Sequence, residues 1–142
     1  MSNKYDIAII GGGPAGSTAA NLLSKNGFSC VLFEKEIFPR PHVGESLLPF
    51  CYELFQDLGI LEQVRAMSVP KPGVRFLDAK GESFSNYCFS NYISGPSAIS
   101  SHVDRADFDK LLLDSAQEKG AHILEGTKVK TCLLYTSPSP RD

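Results

Sequence analysis

The sequence predicts an α/β fold, a parallel sheet with helices packed on it, from three observations. A short apolar run, Ile7-Ala8-Ile9-Ile10, meets Gly11-Gly12-Gly13-Pro14-Ala15-Gly16, and a helical pattern begins at once. A second apolar run, Cys30-Val31-Leu32-Phe33, ends in Glu34, eighteen residues beyond Gly16. Helical and extended patterns then alternate as far as residue 130. Strand, glycine turn, helix, strand and acid, in that order, describe a Rossmann-like dinucleotide-binding unit.

The elements follow in order. Residues 5 to 10 read as a buried parallel strand and residues 14 to 26 as a helix. Ala15, Ala19, Leu22 and Leu23 form its expected inner stripe, and Asn26-Gly27 stops it. Residues 29 to 34 read as the second strand. Two prolines and a glycine make residues 37 to 46 a loop. Apolar residues at helical spacing predict a helix from Leu47 to Leu58, with Pro49 tolerated in its first turn and Gly59 as its stop. Leu61 to Ala66 reads as a short helix. Residues 74–78 and 83–89 read as a hairpin around Ala79-Lys80-Gly81, and Ala98 to Val103 as a further strand. Asp104 is the expected N-cap of a helix with Phe108, Leu111, Leu112 and Ala116 on its apolar face, ending at Gly120. Residues 122–125 and 128–130 close the pattern as strands.

Each glycine of the turn has a physical task. Gly11 permits the tight exit from the strand. Gly13 has no Cβ, so a diphosphate can approach the backbone, and Gly16 lets the helix pack closely. Unpaired amides at the helix N-terminus face the anion. Glu34 stands where a carboxylate accepts from the ribose hydroxyls of an adenosine. The same carboxylate repels a 2′-phosphate, so FAD or NAD fits better than NADP.

The 142 residues suffice for one domain with a real core. A net charge of −2 and the lack of a basic cluster argue against nucleic acid as a partner. No apolar run approaches the ~18 residues of a membrane span. Asp6 and the Gly/Pro break argue against a signal peptide. Cys30, Cys51, Cys88 and Cys132 show neither CxxC nor metal-ligand spacing. They read as reduced, mostly buried thiols of a cytoplasmic protein, and no metal site is expected.

The last eleven residues, CLLYTSPSPRD, differ in character from the rest. One reading is a Ser/Pro-rich tail. The other follows from back-translation: with permitted codons the peptide resembles, codon after codon, a transposase adapter of shotgun sequencing libraries. Residues 132–142 are therefore read as a non-native tail. Residues 1–131 are expected to be the N-terminal part of a longer nucleotide-binding domain. A β insertion near 70–103 would begin a β-rich substrate domain that is truncated here.

The segments GGGPAG, EK after the second strand, RPHVGESLLP, K-x-G-x-x-F and DRADFDKLLLDSAQEKGA carry a resemblance. The chain resembles FAD-dependent oxidoreductases of the para-hydroxybenzoate hydroxylase type, above all flavin-dependent halogenases and geranylgeranyl reductase-like proteins. The resemblance covers roughly residues 4 to 130, and GES after the Pro/Arg loop is its discriminating piece. It implies FAD as cofactor. Gly11, Gly13, Pro14, Ala15 and Gly16 would hold the diphosphate, with Glu34 and Lys35 on the adenosine side. Val43, Gly44, Glu45 and Ser46 would form the strap that runs past the flavin. Ser46 would donate a hydrogen bond there or cap the next helix. Arg105 would reach the FAD phosphates, and Val129 would meet the adenine through its backbone.

Lys71 falls where halogenases place the lysine that captures or guides hypohalous acid. The bland reading is a solvated lysine beside prolines, and relatives that do not halogenate share the pattern. His42 beside Glu45 suggests an acid–base pair, but a histidine among prolines is more often a packing residue. His102 and His122 show no partner in the pattern. The implied function is a flavin-dependent monooxygenase or halogenase acting on a small-molecule substrate. A flavin reductase or NAD(P)H would be its electron source. The rivals are a prenyl-lipid reductase and a non-catalytic fragment.

Overall fold

A computed structural model describes residues 4–131. The first half runs β1 (Ile7–Ile10), α1 (Pro14–Lys25), β2 (Cys30–Phe33), α2 (Cys51–Leu58) and α3 (Leu61–Met67). The second half runs β3 (Val69–Lys71), β4 (Gly73–Leu77), β5 (Phe84–Cys88), β6 (Ser100–His102), α4 (Arg105–Glu118) and β7 (His122–Leu124). The expected tail, residues 132–142, lies outside the described residues.

The α/β architecture is present as a parallel sheet in the order β1-β2-β7. Ile7 pairs with Cys30 and Ile10 with Phe33, while Val31 pairs with His122 and Phe33 with Leu124. β2 is the central strand, and Cys30, Val31 and Leu32 are buried, as a strand flanked on both sides requires. α1 and α4 pack on each other and against this sheet. Their shared core holds Ala20, Leu32, Phe38, Leu113 and Ala116. A second core joins α2, α3 and α4 through Phe55, Leu58, Val64, Phe108 and Leu112. Phe55 and Phe108 meet edge-on with ring centroids 5.7 Å apart.

Leu22 and Leu23 of the expected inner stripe are half-buried and pack against the two cores, but the fully buried stripe of α1 is a different set. It is Ser17, Ala20 and Asn21, while Ala15 is exposed. The reason is polar pairing: Ser17 Oγ donates to Gly12 O (2.8 Å), and Asn21 Nδ2 donates to Ser115 Oγ of α4 (2.7 Å). Of the three described cysteines only Cys30 is buried; Cys51 is half-buried and Cys88 exposed.

Residues 69–102 form two small antiparallel sheets, β3 with β6 and β4 with β5. The β4–β5 hairpin is present as expected, closed by Asp78, whose carboxylate accepts from the amides of Lys80, Glu82 and Ser83. β3 was not anticipated, because Pro70 removes a ladder donor from a segment of three residues. Conversely, residues 128–130 form no strand; beyond β7 the chain turns at Gly126, where Thr127 N–H donates to Glu34 O (2.7 Å).

The helix expected from Leu47 starts instead at Cys51. Residues 46 and 47 are held by β6: Ser46 bridges His102, and Leu47 N–H donates to Ser101 O (2.9 Å). Ser46 therefore does not cap the helix; Phe50 occupies the cap position with no side-chain bond. Asp104 does cap α4, accepting from Ala106 N–H at 2.7 Å.

Candidate dinucleotide site

β1 delivers the chain to its C-terminal end, where Gly11 turns with φ of 101°. That left-handed value excludes most side chains. Gly16 is needed for a different reason: a Cβ there would lie 1.9 Å from Gly11 O. α1 thus abuts the turn itself. At Gly13 the nearest atom to a built Cβ is Arg40 Nη2 at 3.7 Å. Only that flexible arginine tip borders Gly13, at ordinary contact distance, at the N-terminus of a twelve-residue helix, where an anion gains most from the free amides.

Glu34 is buried, with 4% of its surface exposed. Its Oε2 accepts from Gly12 N–H (2.6 Å) and its Oε1 from Glu36 N–H (2.9 Å). Burial by itself would raise its pKa. The Glu36 and Gly12 amides, Arg40 and the Lys35 amide outweigh burial and hold the carboxyl below the ordinary 4.5. Glu34 thus braces the glycine turn from inside, and each oxygen keeps a lone pair for a further donor. A shallow cavity of about 190 Å³ opens beside it, lined by Gly11, Glu34, Lys35 and Val129 among others. The expected adenosine-side residues therefore converge on one pocket.

A second cavity, about 290 Å³, opens beyond the start of α1. Pro14, Ala15, Gly44, Cys51 and Arg105 contribute to its lining. Of residues 43–46, Gly44 lies in that lining. Arg105 reaches them: Nη1 donates to Val43 O (2.8 Å) and makes a longer contact with Gly44 O (3.4 Å). Gly44 adopts φ of 102°, and a Cβ there would stand 3.1 Å from Arg105 Nη1. The remainder of the guanidinium pairs with Asp109, Nε to Oδ1 at 2.8 Å and Nη2 to Oδ2 at 2.9 Å. This hydrogen-bonded pairing holds the arginine above its ordinary pKa despite burial. One Nη2 proton is left for another acceptor.

Arg40 was missed in the sequence. Its side chain is 13% exposed and stands between Glu36, at 2.8 Å from Nε, and the fully buried Asp109, at 3.7 Å from Nη2. Its Nη1 is buried with no hydrogen-bond partner. The other terminal nitrogen, Nη2, stands beside Gly13, so the guanidinium is close to where an anion on the turn would sit. The only sequence signal was an arginine between two prolines, six residues past the acid.

Lys71, at the end of β3, points its Nζ toward Leu47 O at 3.5 Å and lies over the Phe89 ring at 5.8 Å. Lysine and strap thus meet on one small sheet. His102, expected to stand alone, has two partners on the strap: Ser46 Oγ at 3.1 Å from Nδ1, and Glu45 Oε2 at 3.3 Å from Nε2. His122 is also partnered, by the hydroxyl of Tyr5. His42 turns its Nδ1 to Val43 O and makes no pair with Glu45.

A parallel sheet, a glycine turn opening a helix, and a buried acid at the next strand end define a dinucleotide-binding α/β domain. The sequence profile described as "FAD binding domain" matches residues 4–134, and the chain belongs to that family. Its cofactor is FAD, the choice that the turn and the acid alone left open. Among relatives, the flavin-dependent halogenase armH3 of Armillaria mellea is 41% identical over 136 residues, covering 94% of this chain and 26% of that protein. The 1H-pyrrole-2-carbonyl-[peptidyl-carrier protein] chlorinase of Pseudomonas fluorescens is 36% identical over 144 residues, covering 89% of this chain and 32% of its own length. The crystal structure of CmlS, a flavin-dependent halogenase, superposes with a TM-score of 0.81 at 37% identity, covering 92% of this chain and 24% of that one. The chain spans about a quarter to a third of the length of the relatives it matches. Among the described residues no helix is long and apolar enough to cross a membrane.

Proposed function

We propose that these residues are the FAD-binding portion of a flavin-dependent halogenase, a monooxygenase-type oxidoreductase acting on a small-molecule substrate. The observation that carries this is the meeting of Lys71 with residues 45–47 on one small sheet beside the glycine-turn domain. A plain nucleotide-binding domain has no need of that assembly. Similarity to halogenases over nearly the whole chain supports the same reading.

FAD, when bound and reduced, supplies the redox chemistry with oxygen. The chain's residues bind and orient. Gly11, Gly13, Pro14, Ala15 and Gly16 hold the diphosphate, and Arg40 donates to it from the side. Glu34, Lys35 and Val129 form the adenosine end. Val43, Gly44, Glu45 and Ser46 line the flavin's path, and Arg105 fixes that strap by its carbonyls while its spare proton faces the phosphates. Lys71 donates a hydrogen bond to the oxidised halogen and guides it to the substrate. Residues 70–103 belong to the β-rich insertion that opens the substrate domain. A flavin reductase or NAD(P)H delivers the electrons, in the cytoplasm.

The complete protein tests this directly. With reduced FAD, oxygen and halide, Lys71→Ala is expected to retain FAD binding and oxygen consumption and to lose halogenated product at least a hundredfold, about 3 kcal/mol. Normal halogenation by Lys71→Ala removes the lysine's role. Hydroxylation or reduction of the substrate by the parent, with halide never consumed, removes the halogenase reading.

A further inference from the structure

The reading of residues 43–46 as the segment that runs past the flavin leaves open what holds that segment at its height, and the following rests on that reading. We propose that His102 is a positioning residue that locks the strap to β6 through Ser46 and Glu45. Two backbone bonds tie strap to strand: Leu47 N–H to Ser101 O and Val103 N–H to Glu45 O, both 2.9 Å. They lie beyond Gly44, whose left-handed φ marks a pivot with no side chain to restrict it. The histidine ring closes the gap between them. In its neutral Nε2–H form it accepts the Ser46 hydroxyl proton at Nδ1 (3.1 Å) and donates from Nε2 to Glu45 (3.3 Å). One tautomer satisfies both partners, and both partners sit on consecutive strap residues.

The register extends the consequence to Lys71. Ser46 opposes His102, His102 opposes Val69, and Lys71 opposes Ser100. Paired residues and alternate residues along a strand share a face. Ser46, His102, Val69 and Lys71 therefore stand on one face of a small patch made by the strap, β6 and β3, and Lys71 brings the amine onto it. Its Nζ approaches Leu47 O, so the height of the strap also sets the height of the amine. The side chains of His102 and Glu45 are about half exposed, 49% and 52%. The lock accordingly acts through geometry, with a modest energy.

The test uses the complete protein and reads two quantities. Without FAD, amide hydrogen exchange at Leu47 and Val103 is expected to quicken about fivefold in His102→Ala, with β1 and β2 unchanged. With FAD, the Kd is expected to rise about fivefold in His102→Ala, to recover largely in His102→Gln, and to rise in the His102→Ala/Glu45→Ala double variant by less than the product of the two single effects. If His102→Ala folds poorly, His102→Gln and Ser46→Ala carry the exchange measurement. Unchanged exchange, or strict additivity of the Glu45 and His102 substitutions, overturns the lock. Gly13→Val separates the two readings. If it abolishes FAD binding while the cycle is additive, only the lock fails. If it binds FAD as the parent does, the cofactor reading fails, and the exchange arm still decides the lock.

Discussion

The turn from Gly11 to Gly16 is held by groups close to it in the chain, whereas the strap from Val43 to Ser46 is held by side chains far along the sequence. In the turn, Ser17 bonds Gly12 O, Gly16 fits under Gly11 O, and Glu34 braces Gly12. In the strap, Val43 O receives its bond from Arg105, 62 residues away, and Ser46 meets His102, 56 residues away. The turn combines one backbone-on-backbone fit, Gly16 under Gly11, with two short-range side-chain braces from Ser17 and Glu34. The strap has backbone bonds only at its end against β6, and its remaining anchors are two side chains, the buried Arg105 and the half-exposed His102, so it can be adjusted without disturbing the parallel sheet. A cofactor domain built this way keeps its phosphate site rigid and leaves the flavin end open to change.

The sharpest way to break this contrast is within the turn itself. Gly16→Val should cost upwards of about 3 kcal/mol, enough to threaten folding, because a Cβ 1.9 Å from Gly11 O cannot be accommodated without moving the helix. Gly13→Val, three residues earlier, should leave the melting temperature within a few degrees yet weaken FAD at least about a hundredfold. Thermal melts and flavin titration of both variants check the pair; equal effects on stability would dissolve the distinction.

The anchor of the strap comes next in size. Asp109 is wholly buried between Arg105 and Arg40. Asp109→Asn should destabilise by about 3 kcal/mol, since buried Arg105 loses its counter-charge and Arg40 keeps only the half-exposed Glu36. It should also weaken FAD, where the strap depends on Arg105. A denaturant midpoint that stays in place would show the pair to be idle.

Glu34→Gln tests the brace. The folded carboxyl titrates below its ordinary 4.5, so its contribution is fully present above that value. It is lost as pH falls through 4.5 toward the lower folded pKa. The variant should be less stable than the parent near neutrality by about 1–3 kcal/mol, and the gap should narrow as pH falls below 4.5. A gap that does not change with pH would remove the charge from the account. Glu34→Ala should weaken FAD by about one to two decades.

The smallest effect lies on the exposed hairpin. The Ser83 hydroxyl, with the amides of Glu82, Ser83 and Lys80, holds the Asp78 carboxyl below its ordinary 3.8. Asp78→Asn should quicken amide exchange at Glu82 and Ser83 and leave the global melt unchanged. A shift of the whole melt would tie the hairpin to the core more tightly than its exposure suggests.

What was legible in the sequence follows the same division. The turn, α1, β2 and the acid rest on spacings of a few residues, and they stand where the pattern put them. Asp104 and Gly59 marked helix ends through local chemistry alone. The start of α2 was misplaced because residues 46 and 47 look like a helix entry, and only the distant β6 claims their backbone. The partners of His102, the existence of β3 and the burial of Arg40 are likewise tertiary facts. A periodicity search cannot register a histidine whose partners, Ser46 and Glu45, lie on a loop more than fifty residues back.

The brace between Glu34 and Gly12 bears on how such a domain could be re-tooled. Exchanging the acid after the second strand is the obvious lever for changing which nucleotide a protein accepts. Here that carboxylate is also an internal strut of the phosphate turn. A substitution made to admit a 2′-phosphate would slacken the seat of the diphosphate before any new contact formed. Altered cofactor preference in this scaffold should therefore come from the rim, at Lys35, Thr127 and Lys128, with the acid kept in place.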